Sequence, residues 1–312
     1  MMFTKTTAGI FKRPYIIAAV VTAAVIYTLF CFSDTGKAFW EDSKKFLGLT
    51  NFSDYADGYD INIHVIDVGK ADAILIENRG TYVLVDGGVF HSSGKINEYL
   101  KTRGIETLDA VIASHPDSDH IGGLPEVINK FGSRLFCSAG FDEEITYAER
   151  LLKNAVSGTP FKELNAGDEF SIGEMKFSVM APVNRYDDTN DNSLVIKIMY
   201  KEFSMLFTGD MAENELADLL NSGADLNSDI LKVSHHGSKT GTNEALLLRV
   251  SPKISVISVG PNTSNLPSEE TVKTAQNHSS VLRTDEMGNI LISSNGDGNY
   301  KVYTEMPQSA DK

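Results

Sequence analysis

The feature that most constrains this chain is a cluster of metal-ligand side chains between two apolar runs. Four of the six residues from 115 to 120 are histidine or aspartate, namely His115, Asp117, Asp119 and His120. They follow a β-like run over 108–113 and precede a helix-like run over 121–131. Charged groups at the end of a buried strand need partners, and these lie too close in sequence to neutralise one another. A divalent cation resolves this conflict, so the motif predicts a metal site, with a solvated turn of capping aspartates as the alternative.

Distant stretches of the chain end in the same kinds of side chain. Two later strand-like runs end at Asp210 and at the pair His235 and His236, and two earlier ones end in turns that contain Asp72 and Asp86. Ligand sites in sheet proteins form where strand ends meet, so residues far apart in sequence can converge there. The chain therefore predicts a metal centre built at one end of a sheet.

Taken together, these motifs resemble the metallo-β-lactamase-fold hydrolases, and in particular the catalytic domain of ComEC-type competence proteins. The matching pieces cover residues 60–305 in the family order: Asp67 to Gly69 with Asp72 and Ala73, Val85 to Gly88, Ser114 to Gly123, Asn192 to Leu194, Thr208 to Asp210, and His235 to Ser238. The resemblance implies a four-layer αββα sandwich, in which two facing sheets carry helices on their outer sides. Periodicity alone predicts only a mixed α/β domain.

The resemblance also implies a role for each ligand-type residue. His115 and Asp117 are expected to bind one metal ion, Asp119 and His120 the second, and Asp210 to bridge the two. Asp119 and Asp210 would orient the attacking water.

The second metal also needs a histidine from the later strand, which is His235 or His236. The sequence leaves this choice open, because both follow the same strand, and the unbound one would hydrogen-bond a substrate oxyanion. His235 is included among the predicted catalytic residues. Ser238, Asn192 and Asp72 are predicted substrate contacts, with a helix N-cap as the alternative for Ser238 and a turn cap for Asp72. A turn cap is favoured for Asp86.

Three departures from the family pattern concern the metal ions and the substrate. Asp117 stands where the family usually has a second histidine, and the third histidine of that site has no counterpart near residues 191–193. Oxygen ligands of this kind move the preference from Zn²⁺ toward Mn²⁺ or Mg²⁺. We therefore expect two divalent ions, zinc or manganese with magnesium as a third candidate, bound with unequal affinity. Lys70 stands where the branch usually has glutamine, which bears on substrate specificity.

The N-terminal part of the chain predicts a membrane anchor. Residues 14–32 carry no charge and follow Lys5, Lys12 and Arg13. At about 1.5 Å per residue, a helix of this length nearly spans a hydrocarbon core of about 30 Å. The basic flank predicts a cytoplasmic N-terminus and an extracytoplasmic remainder, as a single-pass protein of the cell membrane. The expected order is a cytoplasmic segment 1–13, anchor 14–32, juxtamembrane linker 33–59, catalytic domain 60–305 and tail 306–312; a cleaved signal peptide is the alternative.

Charge and resemblance together indicate the reaction. The net charge of −14 is unlike that of a basic nucleic-acid binder, but metal ions can supply local positive charge. We expect a binuclear hydrolase in which a metal-activated water attacks a phosphodiester, either DNA or another substrate such as a wall polymer or lipid headgroup. The alternatives are an amide or lactone hydrolase of the β-lactamase kind and a catalytically degenerate, membrane-tethered binding module.

Overall fold

The computed structural model describes residues 30, 33, 35, 52–141 and 146–306. The predicted anchor 14–32 lies outside these residues except for residue 30, as do most of the predicted linker and tail. None of the helices in the described part of the chain has the length and apolar character that a membrane crossing requires. Contacts divide the chain into units 1–52 and 53–312, and the sheets, with the helices that flank them, belong to the second unit.

Two sheets form the centre of this unit. The first has the strand order β15-β14-β1-β2-β3-β4-β5-β6. Its strands, numbered in chain order, are β1 (Ile61–Val65), β2 (Ile74–Asn78), β3 (Thr81–Val85), β4 (Ala110–Ile112), β5 (Phe136–Ser138), β6 (Phe161–Glu163), β14 (Ile290–Ser294) and β15 (Tyr300–Thr304). Strands β3 to β6 run parallel to one another, and the other neighbours are antiparallel.

The second sheet has the strand order β13-β12-β11-β10-β9-β8-β7. Its strands are β7 (Glu169–Ile172), β8 (Met175–Ala181), β9 (Val195–Tyr200), β10 (Phe203–Phe207), β11 (Ile230–Lys232), β12 (Ile254–Ile257) and β13 (Ser280–Arg283). Strands β10 to β13 are parallel, whereas β7 to β10 are antiparallel. Each sheet therefore contains a parallel group whose carboxyl ends meet along one edge, which is where α/β proteins place their sites.

Eight α-helices and four short 3₁₀ helices connect the strands in the described residues. The α-helices are α1 (Ser93–Thr102), α2 (Ser118–Ile121), α3 (Leu124–Phe131), α4 (Tyr147–Ala155), α5 (Glu213–Asn221), α6 (Glu244–Val250), α7 (Glu269–Gln276) and α8 (Thr284–Met287). The 3₁₀ helices are Phe52–Ala56, Phe90–Ser92, Asn190–Asn192 and Ser234–Gly237.

Three hydrophobic clusters define the layers. Ile63 of β1 belongs to the same buried cluster as Phe177 of β8, so this cluster lies between the sheets. Leu75 of β2, which alternates with the inward-facing Ile74 and Ile76, instead packs in a second cluster with residues of α1, α3 and α4. A third cluster joins the outer face of the second sheet to α5, α6 and α7. The order is helix, sheet, sheet, helix, which confirms the predicted αββα sandwich.

The structure differs from the sequence prediction at a few elements. β6 and β7 were not predicted, because both are short edge strands that alternate with exposed residues and lack an apolar run. The helix predicted over 121–131 is two helices, since α2 ends and α3 begins at the pair Gly122 and Gly123. A Cβ at residue 123 would lie 2.2 Å from the carbonyl oxygen of Gly87, so this glycine allows the turn after β3 to approach the motif.

Candidate metal centre

The central motif occupies the turn between β4 and α2. His115 follows the carboxyl end of β4, Asp117 is the N-cap of α2, and Asp119 and His120 lie within that one-turn helix. The backbone N–H of Gly87 donates to the carbonyl oxygen of His120 at 2.6 Å. This bond fixes α2 against the end of the neighbouring strand β3.

Four side chains from three separate stretches converge at this point. One ligand atom from each of Asp119, His120, Asp210 and His236 lies within 4.8 Å of the others. Asp210 follows β10 and is central to the group, because its Oδ1 lies 3.0 Å from His120 Nε2 and its Oδ2 lies 3.4 Å from His236 Nε2. His236 Nε2 also lies 3.5 Å from Asp119 Oδ2.

The donor atoms of this group fit a divalent cation. Among the described residues, the buried Nε2 atoms of His120 and His236 and the Oδ1 atom of Asp210 have no hydrogen-bond partner. Buried polar atoms are rarely left unpaired, and unprotonated imidazole nitrogens beside carboxylate oxygens are the ligands of Zn²⁺, Mn²⁺ and Fe²⁺ sites. The residues predicted for the second metal, together with the predicted bridging carboxylate, are therefore arranged to bind one.

His236, rather than His235, points into this group. Its side chain is fully buried, and its Nδ1–H donates to the carbonyl oxygen of Ser258 at 2.9 Å, which leaves Nε2 free to bind a metal. His235 is about one-quarter exposed, and its Nε2 lies 3.7 Å from Asp210 Oδ2. The geometry thus favours His236 as the ligand and leaves His235 at the mouth of the site.

Backbone strain places the two histidines. His235 and His236 have φ values of 49° and 52°, in the left-handed region that side chains other than glycine rarely adopt. Two such residues in succession cost roughly 1–3 kcal/mol each and persist only where the surrounding structure holds them. The turn directs one imidazole inward and the other toward solvent.

Asp86 orients His120 from behind. One of its carboxylate oxygens, Oδ2, accepts from the Nδ1–H of His120 at 2.8 Å, and the other accepts from the backbone N–H of Ser114 at 2.8 Å. A carboxylate on Nδ1 leaves Nε2 as the metal-binding nitrogen and fixes the ring. From sequence, a capping role was favoured for Asp86, and its bond to the Ser114 N–H is of that kind. The parallel pairing of β3 with β4 also brings Asp86 to His120, which gives it a second role.

Asp72 lies beneath the histidines and not at the substrate surface. Its side chain is 3% exposed, and its Oδ2 pairs with the Nζ of Lys232 at 2.8 Å. Its oxygens lie 3.8 Å from Nδ1 of His120 and 3.9 Å from Nδ1 of His236. The predicted substrate contact is not supported, because the carboxylate is buried behind two histidines.

Lys232 is a residue of the site that sequence reasoning missed. It belongs to the apolar strand β11 and is 1% exposed. Lysine is almost never fully buried without a partner, so a lysine within the run Ile230 to Val233 was itself a signal of a buried ion pair. Its ammonium group also donates to the carbonyl oxygen of Val233 at 3.0 Å.

The first metal site is less complete. His115 Nε2 is buried, lacks a hydrogen-bond partner among the described residues, and lies 3.8 Å from Asp117 Oδ2. The other oxygen of Asp117 accepts from the hydroxyl of Thr189 at 3.0 Å. The ring of His115 lies 4.1 Å from that of His120, measured between centroids, so the two sites are adjacent.

The loop over 191–193, where the family has the third histidine, has its side chains hydrogen-bonded to other protein groups. Asp191 accepts from the side-chain amide of Asn214 at 2.7 Å, and the hydroxyl of Ser193 accepts from the backbone N–H of Asp210 at 3.1 Å. The amide of Asn192 donates to the carbonyl oxygens of Tyr186 and Asp188, which closes its own loop. Asn192 therefore lines the cavity beside His115 with its amide already engaged.

Ser238 follows His236 by two residues in the chain. Its hydroxyl is 3.1 Å from that of Thr240, and the side chain is partly exposed. The helix cap considered for it is wrong, because α6 begins at Glu244 and Asn243 provides the cap. Ser238 stays a predicted substrate contact.

The charges of the centre attract a cation. Burial lowers the pKa of His120, but the carboxylates of Asp210 and Asp86 outweigh it and hold the net pKa well above its ordinary value. Burial raises the pKa of Asp119, but His236, His120 and Lys70 lower it by more, so the net pKa is below its ordinary value. The ammonium group of Lys70 lies 2.6 Å from Asp119. The cluster thus holds ionised carboxylates around a point that favours positive charge.

The fold and this centre define a class that the chain's relatives share. The sequence model of the metallo-beta-lactamase superfamily matches residues 66–260, which is more than half of the chain. The chain belongs to this superfamily.

Its curated relatives include a protein of the ComE operon, a recombination protein and a competence protein. The chain is 30% identical to ComE operon protein 3 of Bacillus subtilis over 265 residues, which is 77% of this chain and 34% of that protein. It is 33% identical to Recombination protein 2 of Haemophilus influenzae over 208 residues, 64% of this chain and 24% of the relative. It is also 28% identical to Competence protein ComA of Neisseria gonorrhoeae over 231 residues, 72% of this chain and 31% of that protein. The predicted resemblance to the ComEC-type domain is confirmed, and the chain spans about a third or less of these relatives.

Solved structures share the fold. The metallo-beta-lactamase fold protein YhfI from Bacillus subtilis superposes with a TM-score of 0.51 at 16% identity, covering 74% of this chain and 98% of YhfI. The diiron β-hydroxylase CmlA from Streptomyces venezuelae superposes with a TM-score of 0.53 at 11% identity, covering 81% of this chain and 59% of CmlA. At such identities the likeness concerns architecture alone.

Proposed function

We propose that this chain is a metal-dependent phosphodiesterase that acts on DNA or another phosphodiester. The observation that carries the proposal is the convergence of Asp119, His120, Asp210 and His236, whose buried donor atoms include three without a hydrogen-bond partner among the described residues. Asp86, Asp72 and Lys232 surround and hold these ligands, and a scaffold that had lost its chemistry would have no need of them.

The residues divide the work of hydrolysis between them. Divalent ions, when bound, supply Lewis acidity and lower the pKa of water. The carboxylates of Asp119 and Asp210 are placed to accept a hydrogen bond from the attacking water and to orient it. His235, at the mouth, donates to a non-bridging phosphate oxygen. The water oxygen bonds to phosphorus, the bond to the leaving oxygen breaks, and that oxygen receives the proton that the water gives up.

Two features favour a phosphodiester over a β-lactam. The first metal site offers His115 with Asp117 and no further histidine from the described residues around 191–193. Such ligands favour a hard divalent ion, and a hard ion binds phosphate oxygens. Lys70 adds an ammonium group that is about one-quarter exposed beside Asp119. The resemblance to competence proteins further supports DNA as the substrate.

We also propose that the catalytic domain lies outside the cytoplasm, tethered by the helix predicted over 14–32. The warrant is the uncharged run and its basic flank. An acidic domain beside anionic polymers would depend on its metal ions and nearby lysines for local positive charge.

A substrate panel tests the activity. The full chain with Mn²⁺, Mg²⁺ or Zn²⁺ is incubated with bis-p-nitrophenyl phosphate, with single-stranded DNA and with the β-lactam nitrocefin. We expect phosphodiester turnover that His120→Ala abolishes and that His278→Ala, a change at a histidine outside the site, leaves intact. Turnover of nitrocefin alone would contradict the proposal, and inactivity on all three with metals bound would favour the binding-module alternative.

A further inference from the structure

A pocket opens beside the metal centre, and the hydrolytic site does not account for it. His115 lines it on the metal side. The rest of its wall combines apolar and aromatic side chains, among them Ile121, Phe136, Phe141 and Leu152, with polar groups in about equal share. Since His115 belongs to both, a ligand in this pocket would touch the site where phosphate is cleaved.

The aromatic part of this wall is flat and partly accessible. The rings of Phe136 and Phe141 stack with centroids 6.1 Å apart and planes 24° apart. Phe136 is fully buried and supports Phe141, which is partly exposed. The ammonium group of the exposed Lys153 lies 5.5 Å from the centre of the Phe141 ring, so a second flat ring that stacks on Phe141 would displace this flexible side chain.

A planar cation lines the same pocket. The Nη2 of Arg185 donates to the carbonyl oxygen of Ala139 at 2.9 Å, which places the guanidinium next to Gly140. Arginine planes and aromatic rings are the two side-chain surfaces on which unpaired nucleobases stack. The exposed guanidinium is therefore held where it can cover a base.

A buried carboxylate decides what enters the pocket. Glu149, 3% exposed, lines it, and one of its oxygens accepts from the backbone N–H of Thr146 at 2.7 Å. A carboxylate repels a phosphate but accepts hydrogen bonds from the N–H groups of a base edge. The occupant that suits this wall is therefore a neutral, flat group with N–H donors.

We propose that this pocket binds a nucleobase of the substrate, next to the phosphate held at the metal centre. The proposal rests on the proposed phosphodiesterase function and narrows its substrate to nucleic acid. A base can enter only when it is unpaired and unstacked, so single strands and strand ends are preferred over duplex.

Two ligands that differ only in the base test the pocket. Thymidine 5′-monophosphate and 2-deoxyribose 5-phosphate share the sugar and the phosphate, and neither is a phosphodiester. Their dissociation constants are measured by calorimetry on the Mn²⁺-loaded full chain. From the usual strength of base stacking, we expect the nucleotide to bind at least about tenfold more tightly. Phe141→Leu and Arg185→Lys, which keep apolar bulk and charge respectively, should each bring the ratio of the two constants toward one.

Tyr147→Leu is the matched control, because Tyr147 is a 65% exposed aromatic residue on α4 that does not line the pocket. It should leave the ratio unchanged. Equal affinity for the two ligands, no binding of either, or a base preference that survives both pocket variants would overturn the proposal. These results can be told apart from those of the substrate panel. Phosphodiester turnover without a base preference would contradict only the proposal that the pocket binds a base. A base preference without turnover would contradict only the proposed hydrolytic function.

Discussion

Beneath the metal centre, Lys232 keeps its ammonium group almost entirely out of solvent. Burial raises the pKa of Asp72, but Lys232, with His120 and His236, outweighs it and keeps this carboxyl below its ordinary pKa. A buried pair of this kind loses more when one partner is removed than when both are, since the remaining charge is left unpaired.

Lys232→Met therefore should lower the free energy of unfolding by about 3–5 kcal/mol, measured by urea denaturation in EDTA. The double variant Lys232→Met with Asp72→Asn should recover most of this loss, because the uncompensated carboxylate is then absent. If the double variant is no more stable than Lys232→Met alone, the unpaired carboxylate of Asp72 is not the cause of the loss.

At the metal centre, replacing Asp210 by alanine should reduce phosphodiester turnover far more than replacing Ser238. Asp210→Ala removes oxygens that face both His120 and His236, so we expect phosphodiester turnover to fall at least about 100-fold, beyond the range for partners that only orient a ligand. Ser238→Ala removes one replaceable hydrogen bond worth about 1 kcal/mol, or roughly fivefold. Similar losses in kcat/KM for the two variants would mean that Asp210 does not bridge.

The ligands themselves could be predicted from sequence, whereas the groups that hold them could not. His120 lies in the motif that follows β4, and Asp210 lies just after β10, so no packing information is needed to find them. The choice of His236 over His235 depends on two left-handed residues, and the role of Asp86 depends on which strand lies beside β4. Such features follow from the spatial order of strands and not from local pattern.

Among the elements, helix α5 carries a buried carboxyl group whose ionisation destabilises the folded state. Glu215 is fully buried, and neither of its carboxylate oxygens has a hydrogen-bond partner within the described part of the chain. Burial, together with Asp191, raises its pKa well above the ordinary value. A carboxyl group with a raised pKa favours the folded state fully below its unfolded pKa and loses that contribution as the pH rises through the folded pKa.

Glu215→Gln should therefore stabilise the domain near neutral pH and not near pH 4. We expect at least about 1 kcal/mol at pH 7.5, the order of the cost of burying an unpaired polar group. Urea denaturation of the metal-free chain across this range measures it. Glu213→Gln, an exposed change on the same helix, is the control. A gain that is constant with pH would show that ionisation of Glu215 is not its cause.

Apolar runs located interior elements from sequence, as the β-like run over 108–113 does for β4 and the helix-like run over 121–131 does for α3. The edge strands β6 and β7 were missed because an edge needs little hydrophobicity, and their strand geometry comes from the neighbours β5 and β8. Propensity therefore located the interior of the sandwich, while its borders depended on tertiary pairing.

For the whole molecule, the proposed orientation has a direct consequence. If the basic residues before 14–32 hold the N-terminus in the cytoplasm, a protease added to intact cells should digest the catalytic domain and spare a short N-terminal fragment. Antibodies to a tag at each end, read on a blot, distinguish the two parts. Protection of the whole chain would reverse the orientation.

We propose that strand ends of both sheets build two adjacent and unequal metal sites. Calorimetric titration of the metal-free full chain with Mn²⁺ and with Zn²⁺ tests this arrangement. We expect two binding events of different affinity, the tighter lost in His236→Ala and the weaker lost in Asp117→Ala, with both retained in His278→Ala. Two equally tight ions, or no stoichiometric binding of either metal, would contradict it.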